Sequence, residues 1–544
     1  MSSDAADSTG RDRVVPAVVA LAAVALLVRV VGLGARPFHW DEARVGYWTL
    51  RYLESGAFAY RPVAGGPLLY HVDRHVFALL GATDATARLP IAALGGLLPV
   101  AALLYRTRLR DDETVALAAV LAFAPVLVYY SRFLRGDLPL AAFALVAVGA
   151  AVRAVDADAP RWLVVAAVAG ALALASSGFA VAYLLCLAVA ALAALDTAWI
   201  VDAGATRSRL AAVQSRLDAW RRELLLSAAA GLLTAVLLFA PRAGTTDGPG
   251  LWTPAALPGA LEAATLGAVR KFYGVRVDSR RYGGTHELLP FVRDHVEILL
   301  VVALPVVALA AMAFLVDRYG GSPRPVVAFF GVWGAASLLV VPAVTEVLGP
   351  WLAVHTVVPL SVPAAVGLAT LARFGRRGAA TGDAARVAAA TLLVAAVLVQ
   401  AGAATTAGVY GPNDRSNRFA QYAQPADDLE PLVENVSAVA DGDGVDVLFV
   451  GERYYTAYER GNDQPPVADE WGNRLPLPWY FARAGADTGS VTGVDDLDNR
   501  SSVPPVVVAD ADRRGALEAR LDGYRATEYR LSLWNRRVVV FVTE

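Results

Sequence analysis

The sequence predicts a polytopic α-helical membrane protein, a bundle of about eleven transmembrane helices followed by a small C-terminal α/β domain. Three observations carry this. Of 544 residues, 56% are hydrophobic and only 18% charged, and the mean hydropathy of +0.47 is too apolar for a soluble globular chain. The apolar residues come in runs of about twenty, the length that crosses roughly 30 Å of hydrocarbon as a helix. Charge divides the chain: residues 1–404 carry 34 basic against 27 acidic residues, whereas 405–544 carry 14 against 23. The two parts are built for different surroundings.

In chain order, a polar tail at 1–13 precedes apolar spans at about 14–34, 86–105, 114–130, 137–155, 161–177, 179–200, 224–241, 296–316, 325–342, 348–371 and 387–406. The first span lacks a small-residue cleavage site and reads as a retained helix. Arginines cluster in alternate connections: Arg11/Arg13, Arg106/Arg108/Arg110, Arg153/Arg161, the 207–222 segment, Arg318/Arg324 and Arg373/Arg376/Arg377/Arg386. The positive-inside rule places that set in the cytoplasm. Residues 35–85, 131–136, 242–295 and everything after 406 then face the exterior, so function belongs there. Segment 201–222 spaces Leu210, Val213, Leu217 and Trp220 among arginines, as in a helix lying on an anionic leaflet. The tail, 407–544, has β-branched runs at 445–450, 506–508 and 538–542 between Asp/Gly-rich turns, the pattern of an α/β domain. It also holds two acceptor sequons, at Asn435 and Asn499, which suit an extracytoplasmic location. The single cysteine, Cys186, excludes an intramolecular disulfide and any cysteine-based zinc or redox motif.

Four exterior segments can carry chemistry. His39-Trp-Asp41-Glu42 follows the first span, and adjacent carboxylates at a membrane boundary are costly unless paired or used. An acid held near apolar surface beside a second acid is pushed toward the pKa of a general base. The plain alternative is two solvated loop acids. Gly65-Gly-Pro-Leu-Leu-Tyr-His71-Val-Asp-Arg-His75 places His71 and His75 on one helical face, and a metal site with Asp73 and His39 is an alternative to interfacial histidines. Ser131-Arg132-Phe-Leu-Arg135-Gly-Asp137 sets two guanidiniums and an acid in a very short connection, either to meet phosphate oxygens or to brace the turn through an Arg132–Asp137 pair. Arg270-Lys271-Phe-Tyr273 and the following 280–287 stretch combine basic and aromatic groups, suited to a lipid phosphate and a sugar ring or to an interfacial belt.

The ordered set of the Asp41-Glu42 pair, Gly-Pro-Leu-Leu-Tyr-His71, Arg88-Leu-Pro90 and Ser-Arg132-Phe-Leu-Arg-Gly-Asp137-Leu-Pro139 resembles the GT-C glycosyltransferases of the protein O-mannosyltransferase and lipid A aminoarabinose-transferase type. The resemblance is closest to archaeal "flippase activity-associated" proteins of N-glycosylation. It is strongest over 14–155 and extends by topology to 406. It implies a GT-C-like bundle in the plasma membrane that moves one sugar from a polyprenyl- or dolichyl-phosphate donor to an exterior acceptor hydroxyl, with inversion. It further implies Asp41 as base, supported by Glu42, and Arg132 on the donor phosphate with Asp137 orienting it. Arg135, Lys271 and Arg270 are expected to add positive charge there, with His71 and Tyr273 in support. A divalent cation held by Asp41, Glu42 or His71 is compatible with this reaction and not required by it. The implied partners are the bilayer, the lipid-linked sugar, and a glycan, lipid or protein acceptor; nucleic acid is not among them. The chain departs from the well-studied enzymes after span 7, and its tail resembles the archaeal subgroup through Pro476-Leu-Pro478-Trp-Tyr480. The Trp-Trp-Asp-Tyr-Gly signature of oligosaccharyltransferases is absent from the sequence. A non-catalytic lipid-handling role in glycosylation stays open as a second reading, and a secondary transporter ranks last.

Overall fold

The computed structural model describes residues 5–62, 65–194, 203–242, 250–276, 288–320, 323–345, 347–421, 423–457, 459, 470–533 and 536–544. The basic stretch 280–287 lies outside the described residues. The chain forms two compact units that do not follow chain order. One comprises Met1–Val31, Ile91–Leu237 and Arg280–Gly411; the other comprises Gly32–Pro90, Leu238–Ser279 and Pro412–Glu544.

The first unit is helical, and with the apolar helices it carries the chain is a multi-pass membrane protein. Among the described residues of the whole chain, seven helices are long and apolar enough to cross a bilayer: Arg13–Val30, Asp84–Tyr105, Asp137–Asp156, Arg221–Phe239, Pro325–Val344, Pro350–Thr381 and Ala384–Val409. Leu288–Val302 and Leu304–Tyr319 make an eighth if counted together, bent by 101°. Pro305 stands at the start of the second piece, where a proline cannot continue the preceding helix's hydrogen bonds. Of the other three expected spans, Trp162–Ser176 has 15 residues, Ala180–Ala194 accounts for the described part of the 179–200 run, whose residues 195–200 lie outside the described residues, and the 114–130 run divides at Pro125 into Asp111–Phe123 and Pro125–Tyr130.

Ala353–Thr381 is the axis of this unit. It packs on Asp111–Phe123, Asp137–Asp156, Leu304–Tyr319, Pro325–Val344 and Ala384–Ala404, and Val354, Val357, Val358 and Val362 along it are fully buried. Gly367 lets the Leu309 backbone approach: a Cβ there would stand 2.4 Å from the Leu309 carbonyl oxygen. Ala384–Ala404 instead leaves Leu392, Leu398 and Val399 exposed, as a lipid-facing helix does. The arginine-rich connections converge on acids at the head of Asp111–Phe123. Arg373 meets Asp112 (2.9 Å) and Glu113 (3.2 Å), and Arg324 meets Glu113 (2.9 Å) and Asp317 (3.0 Å). Arginines that the charge pattern assigned to one side thus share acidic partners.

The second unit contains a five-stranded sheet: β1 (Val447–Val450), β2 (Thr488–Val491), β3 (Val506–Asp510), β4 (Tyr524–Arg530) and β5 (Arg537–Thr543), in the order β2-β1-β3-β5-β4. β1 runs parallel to β2 and β3, while β5 is antiparallel to β3 and β4. The Val-rich runs β1 and β3 are buried nearly throughout, as central parallel strands are. Leu448, Val507, Val539, Phe541 and Leu517 form the core. The helices Trp40–Ser55, Pro67–Leu80 and Ala268–Arg276 belong to the same unit.

Candidate active site

The helix bearing Asp41 begins with a closed capping box. His39, extended at the N-cap, accepts from the Asp41 backbone N–H on Nδ1 (3.1 Å), and its own N–H donates to Glu42 Oε2 (3.0 Å). Arg88 grips Glu42 with a bidentate fork, Nε to Oε1 and Nη2 to Oε2 at 2.7 Å each, and both side chains are fully buried. The same guanidinium donates to the carbonyls of Leu33 (3.2 Å), Arg36 (2.6 Å) and Pro37 (3.3 Å). Burial alone pushes the Glu42 carboxyl up; Arg88 overrides it and holds the group below the usual carboxylate range. Of the expected catalytic pair, Glu42 is therefore ionised, sealed from solvent and engaged on both oxygens.

Asp41 keeps 28% of its side chain exposed where Glu42 keeps none. Its Oδ1 faces Arg44 Nη2 at 3.4 Å and its Oδ2 lies 3.9 Å from His39 Nδ1. The like charge expected to act on it from Glu42 is cancelled by Arg88. Arg44 lies over the Trp40 ring at 4.7 Å. Tyr70 is buried within the fields of Arg44 and Asp41, and burial pushes its phenol up, so it stays protonated.

Residues 37–40 are held from far along the chain. The Pro37 carbonyl accepts from Gln424 Nε2 (2.8 Å), the Phe38 N–H donates to the Tyr480 hydroxyl (2.8 Å), the His39 ring meets Gln421, and Trp40 Nε1 donates to the Gly472 carbonyl (2.8 Å). Asp84 accepts from Trp479 Nε1 (2.7 Å), the Tyr480 hydroxyl (2.8 Å) and Arg483 Nη1 (3.3 Å). Sequence reading noted Trp479 and Tyr480 without a role and missed Asp84. An acid at the head of an apolar run was the available signal, since it demands partners.

His71 is committed. Its Nδ1 meets the Tyr52 hydroxyl (3.2 Å), its Nε2 the Leu238 carbonyl (2.8 Å), and its ring packs on Phe58. Burial, with Arg242 adding to it, lowers its pKa to about 4. With both nitrogens engaged it does not fit a metal, and among the described residues no three His, Cys, Asp or Glu groups converge as a cage. Asp73 is fully buried and, among the described residues, neither of its oxygens has a hydrogen-bond partner; burial raises its pKa well above the ordinary value. On Ala268–Arg276, Arg270 pairs with Glu262 (2.7 Å) and Tyr273 is largely exposed; Lys271, on the same helix, is half-buried.

The remaining candidates lie in the first unit. Arg132 Nη1 donates to the carbonyls of Val28 (3.3 Å), Arg29 (2.9 Å) and Val31 (2.6 Å), capping the end of Ala5–Val30. The Tyr410 ring lies against the Arg132 guanidinium at 5.0 Å. The expected Arg132–Asp137 pair gives way to another: Arg135 Nε donates to Asp137 Oδ2 (2.9 Å) while its guanidinium lies over Trp351 at 4.2 Å. Asp137 Oδ1 meets His355 Nε2 (3.1 Å), whose Nδ1 meets the Tyr183 hydroxyl (2.9 Å). Asp137 is N-terminal in its helix, two residues from Arg135, which favours that partner over Arg132. His355 and Tyr183 were not foreseen; a histidine inside an apolar span was the legible sign.

ArnT from Cupriavidus metallidurans bound to undecaprenyl phosphate superposes with a TM-score of 0.58 at 17% identity, over 96% of this chain and 97% of that one. The chain has a GT-C fold. The apo form of the same protein gives 0.57 at 16% identity, over 96% and 97%. The archaeal oligosaccharyltransferase AglB from Archaeoglobus fulgidus, in complex with an inhibitory peptide and a dolichol-phosphate, gives 0.52 at 13% identity, over 91% of this chain and 70% of that one. Residues 64–207 match the family model of dolichyl-phosphate-mannose-protein mannosyltransferase, and residues 429–543 match that of the Agl23 flippase-associated protein C-terminal domain. No curated protein matches the chain. The resemblance to GT-C transferases and to flippase-associated proteins read from the sequence is thereby met in both of its parts.

Proposed function

We propose that this GT-C protein transfers a single sugar from a polyprenyl- or dolichyl-phosphate donor to an acceptor hydroxyl on the outer face of the plasma membrane, with inversion. One observation carries the reading: Asp41 is a partly open carboxylate on a helix start whose neighbouring acid is neutralised and whose preceding residues are all tethered. The mannosyltransferase match over 64–207 and the lipid phosphate in the ArnT structure support the donor class. Asp41 takes the proton of the acceptor hydroxyl as its oxygen bonds the anomeric carbon; the bond to the phosphate oxygen breaks on the opposite face and the phosphate leaves with the electron pair. By the family resemblance, Arg132, Arg135, Arg270 and Lys271 are assigned the positive charge that stabilises that leaving group. In this reading 1–13 is cytoplasmic, 14–406 is the transferase bundle with exterior loops 35–85 and 242–295, and 407–544 is extracytoplasmic.

The test is transfer of radiolabelled sugar from a panel of dolichyl- and undecaprenyl-phosphate donors to membrane acceptors. Asp41→Asn is expected to abolish transfer, by about 10²-fold or more, with donor binding retained; undiminished transfer sinks the assignment. A second reading, handling of a lipid-linked sugar without transfer, is favoured by the flippase-associated match over 429–543. It predicts that wild type and Asp41→Asn both bind the lipid and neither transfers.

A further inference from the structure

We infer that the Leu477–Arg483 helix of the C-terminal domain is a positioning element for Asp41, so that the transfer site is complete only with this domain seated on the first loop. The inference rests on the transferase reading and adds to it the residues that set the base. Each of the four residues before Asp41 has a hydrogen bond to a residue between 421 and 480, across sequence separations of 382 to 442 for the side-chain pairs.

Trp479 and Tyr480 are fully buried, and they act on the loop twice. Directly, the Tyr480 hydroxyl accepts the Phe38 N–H while donating to Asp84 Oδ2, so one oxygen joins the loop backbone to the start of the Asp84–Tyr105 helix. By shape, the Trp479 ring stacks on Phe38, with centroids 5.0 Å apart and planes 14° apart, and fills a slot that Gly46 leaves open. A Cβ at Gly46 would stand 2.9 Å from both rings, so the Asp41 helix is cut to admit this tryptophan. The Arg88 guanidinium, the same group that clamps Glu42, also lies over the Phe38 ring, 4.8 Å from its centroid. Arg483 ties the arrangement to the domain by a double contact with Glu430, at 2.7 and 2.9 Å, while also reaching Asp84. The four donors and acceptors on Asp84 and Phe38 are satisfied only in one placement of the loop, and buried polar groups left without partners oppose any other. The Asp41 backbone is three residues beyond Phe38, inside the span so fixed.

The experiment uses the full chain in lipid nanodiscs and compares Tyr480→Phe with wild type, Asp41→Asn, and Leu517→Ala in the sheet core as a control for general loosening of the domain. Tyr480→Phe keeps the ring and removes the bridging hydroxyl. The expected results are faster amide hydrogen exchange confined to residues 36–46 and a fall in kcat of about 10- to 100-fold with the donor KM unchanged, the loss a small misplacement of a catalytic group produces. Leu517→Ala is expected to lower the melting temperature while leaving kcat and the 36–46 exchange as in wild type. Unchanged exchange in Tyr480→Phe overturns the inference even if no donor supports transfer. Full kcat in Tyr480→Phe where Asp41→Asn is dead overturns it while leaving the transferase reading intact; transfer by Asp41→Asn instead sinks that reading. Should Tyr480→Phe not yield folded protein, Trp479→Phe, which removes the donor to Asp84 Oδ1 and shortens the ring stacked on Phe38, carries the same two readouts.

Discussion

Replacing Arg88 by methionine should be among the most damaging single changes in the second unit. In the folded protein Arg88 and Glu42 have no exposed side-chain surface, and two 2.7 Å charge-assisted bonds join them. Arg88→Met leaves the Glu42 carboxylate buried without its counter-charge, a defect that costs about 3–5 kcal/mol, and also strips a donor from the carbonyls of Leu33, Arg36 and Pro37. The pH dependence gives the sharper check. With Arg88 present, the folded carboxyl lies below its ordinary value of 4.5, so its stabilisation is complete above that pH and is lost as pH falls through the depressed folded value. Without Arg88, burial dominates and the folded value rises above 4.5; the unfolded chain then binds fewer protons in that window, so acidification relieves the defect. The variant's deficit against wild type should therefore shrink between pH 7 and pH 5, measured by denaturant titration of tryptophan fluorescence in detergent. Adding Glu42→Gln to Arg88→Met should restore part of the loss at pH 7, with a coupling of about 2–3 kcal/mol. A single-variant cost below about 1 kcal/mol, or a deficit that grows on acidification, would refute the account of a sealed and dominant ion pair.

Three further outcomes follow from the same geometry. His71 titrates at about 4 when folded against 6.5 for the free side chain, so the unfolded chain binds more protons between these values; stability should be intact above pH 6.5 and fall by up to about 3 kcal/mol toward pH 4. His71→Phe should flatten that slope in a pH series of melts. Arg135→Ala removes the guanidinium stacked on Trp351 and should weaken dolichyl-phosphate binding about tenfold, read from a lipid titration of the folded variant. Gly367→Ala drives a methyl group to within 2.4 Å of the Leu309 carbonyl and should cost about 1–3 kcal/mol in the first unit, visible as a lowered melting temperature.

Hydropathy and charge placement by themselves determined the class of protein, the order of its apolar segments and the position of the loop that carries Asp41. Those are properties of composition and local period, which a bilayer's thickness and a helix's rise per residue convert directly into spans. The β-branched runs of the tail were equally legible, and β1, β3 and β5 appear where they lie. Partner choice was not legible, because it depends on which distant groups share a buried space. Asp137 takes Arg135 and His355 rather than Arg132, whose Nη1 is spent on helix carbonyls. Glu42, adjacent to Asp41 and alike in chemistry, faces Arg88 across 46 residues and is fully buried, whereas Asp41 faces Arg44 and keeps 28% of its side chain exposed. Trp479 and Tyr480 were visible as a motif, yet their contacts with Asp84 and Phe38 span about 400 residues or more. A linear pattern records what each side chain can do, whereas burial and hydrogen-bond satisfaction select which distant partner each buried charge takes, and that selection exists only once the chain is folded.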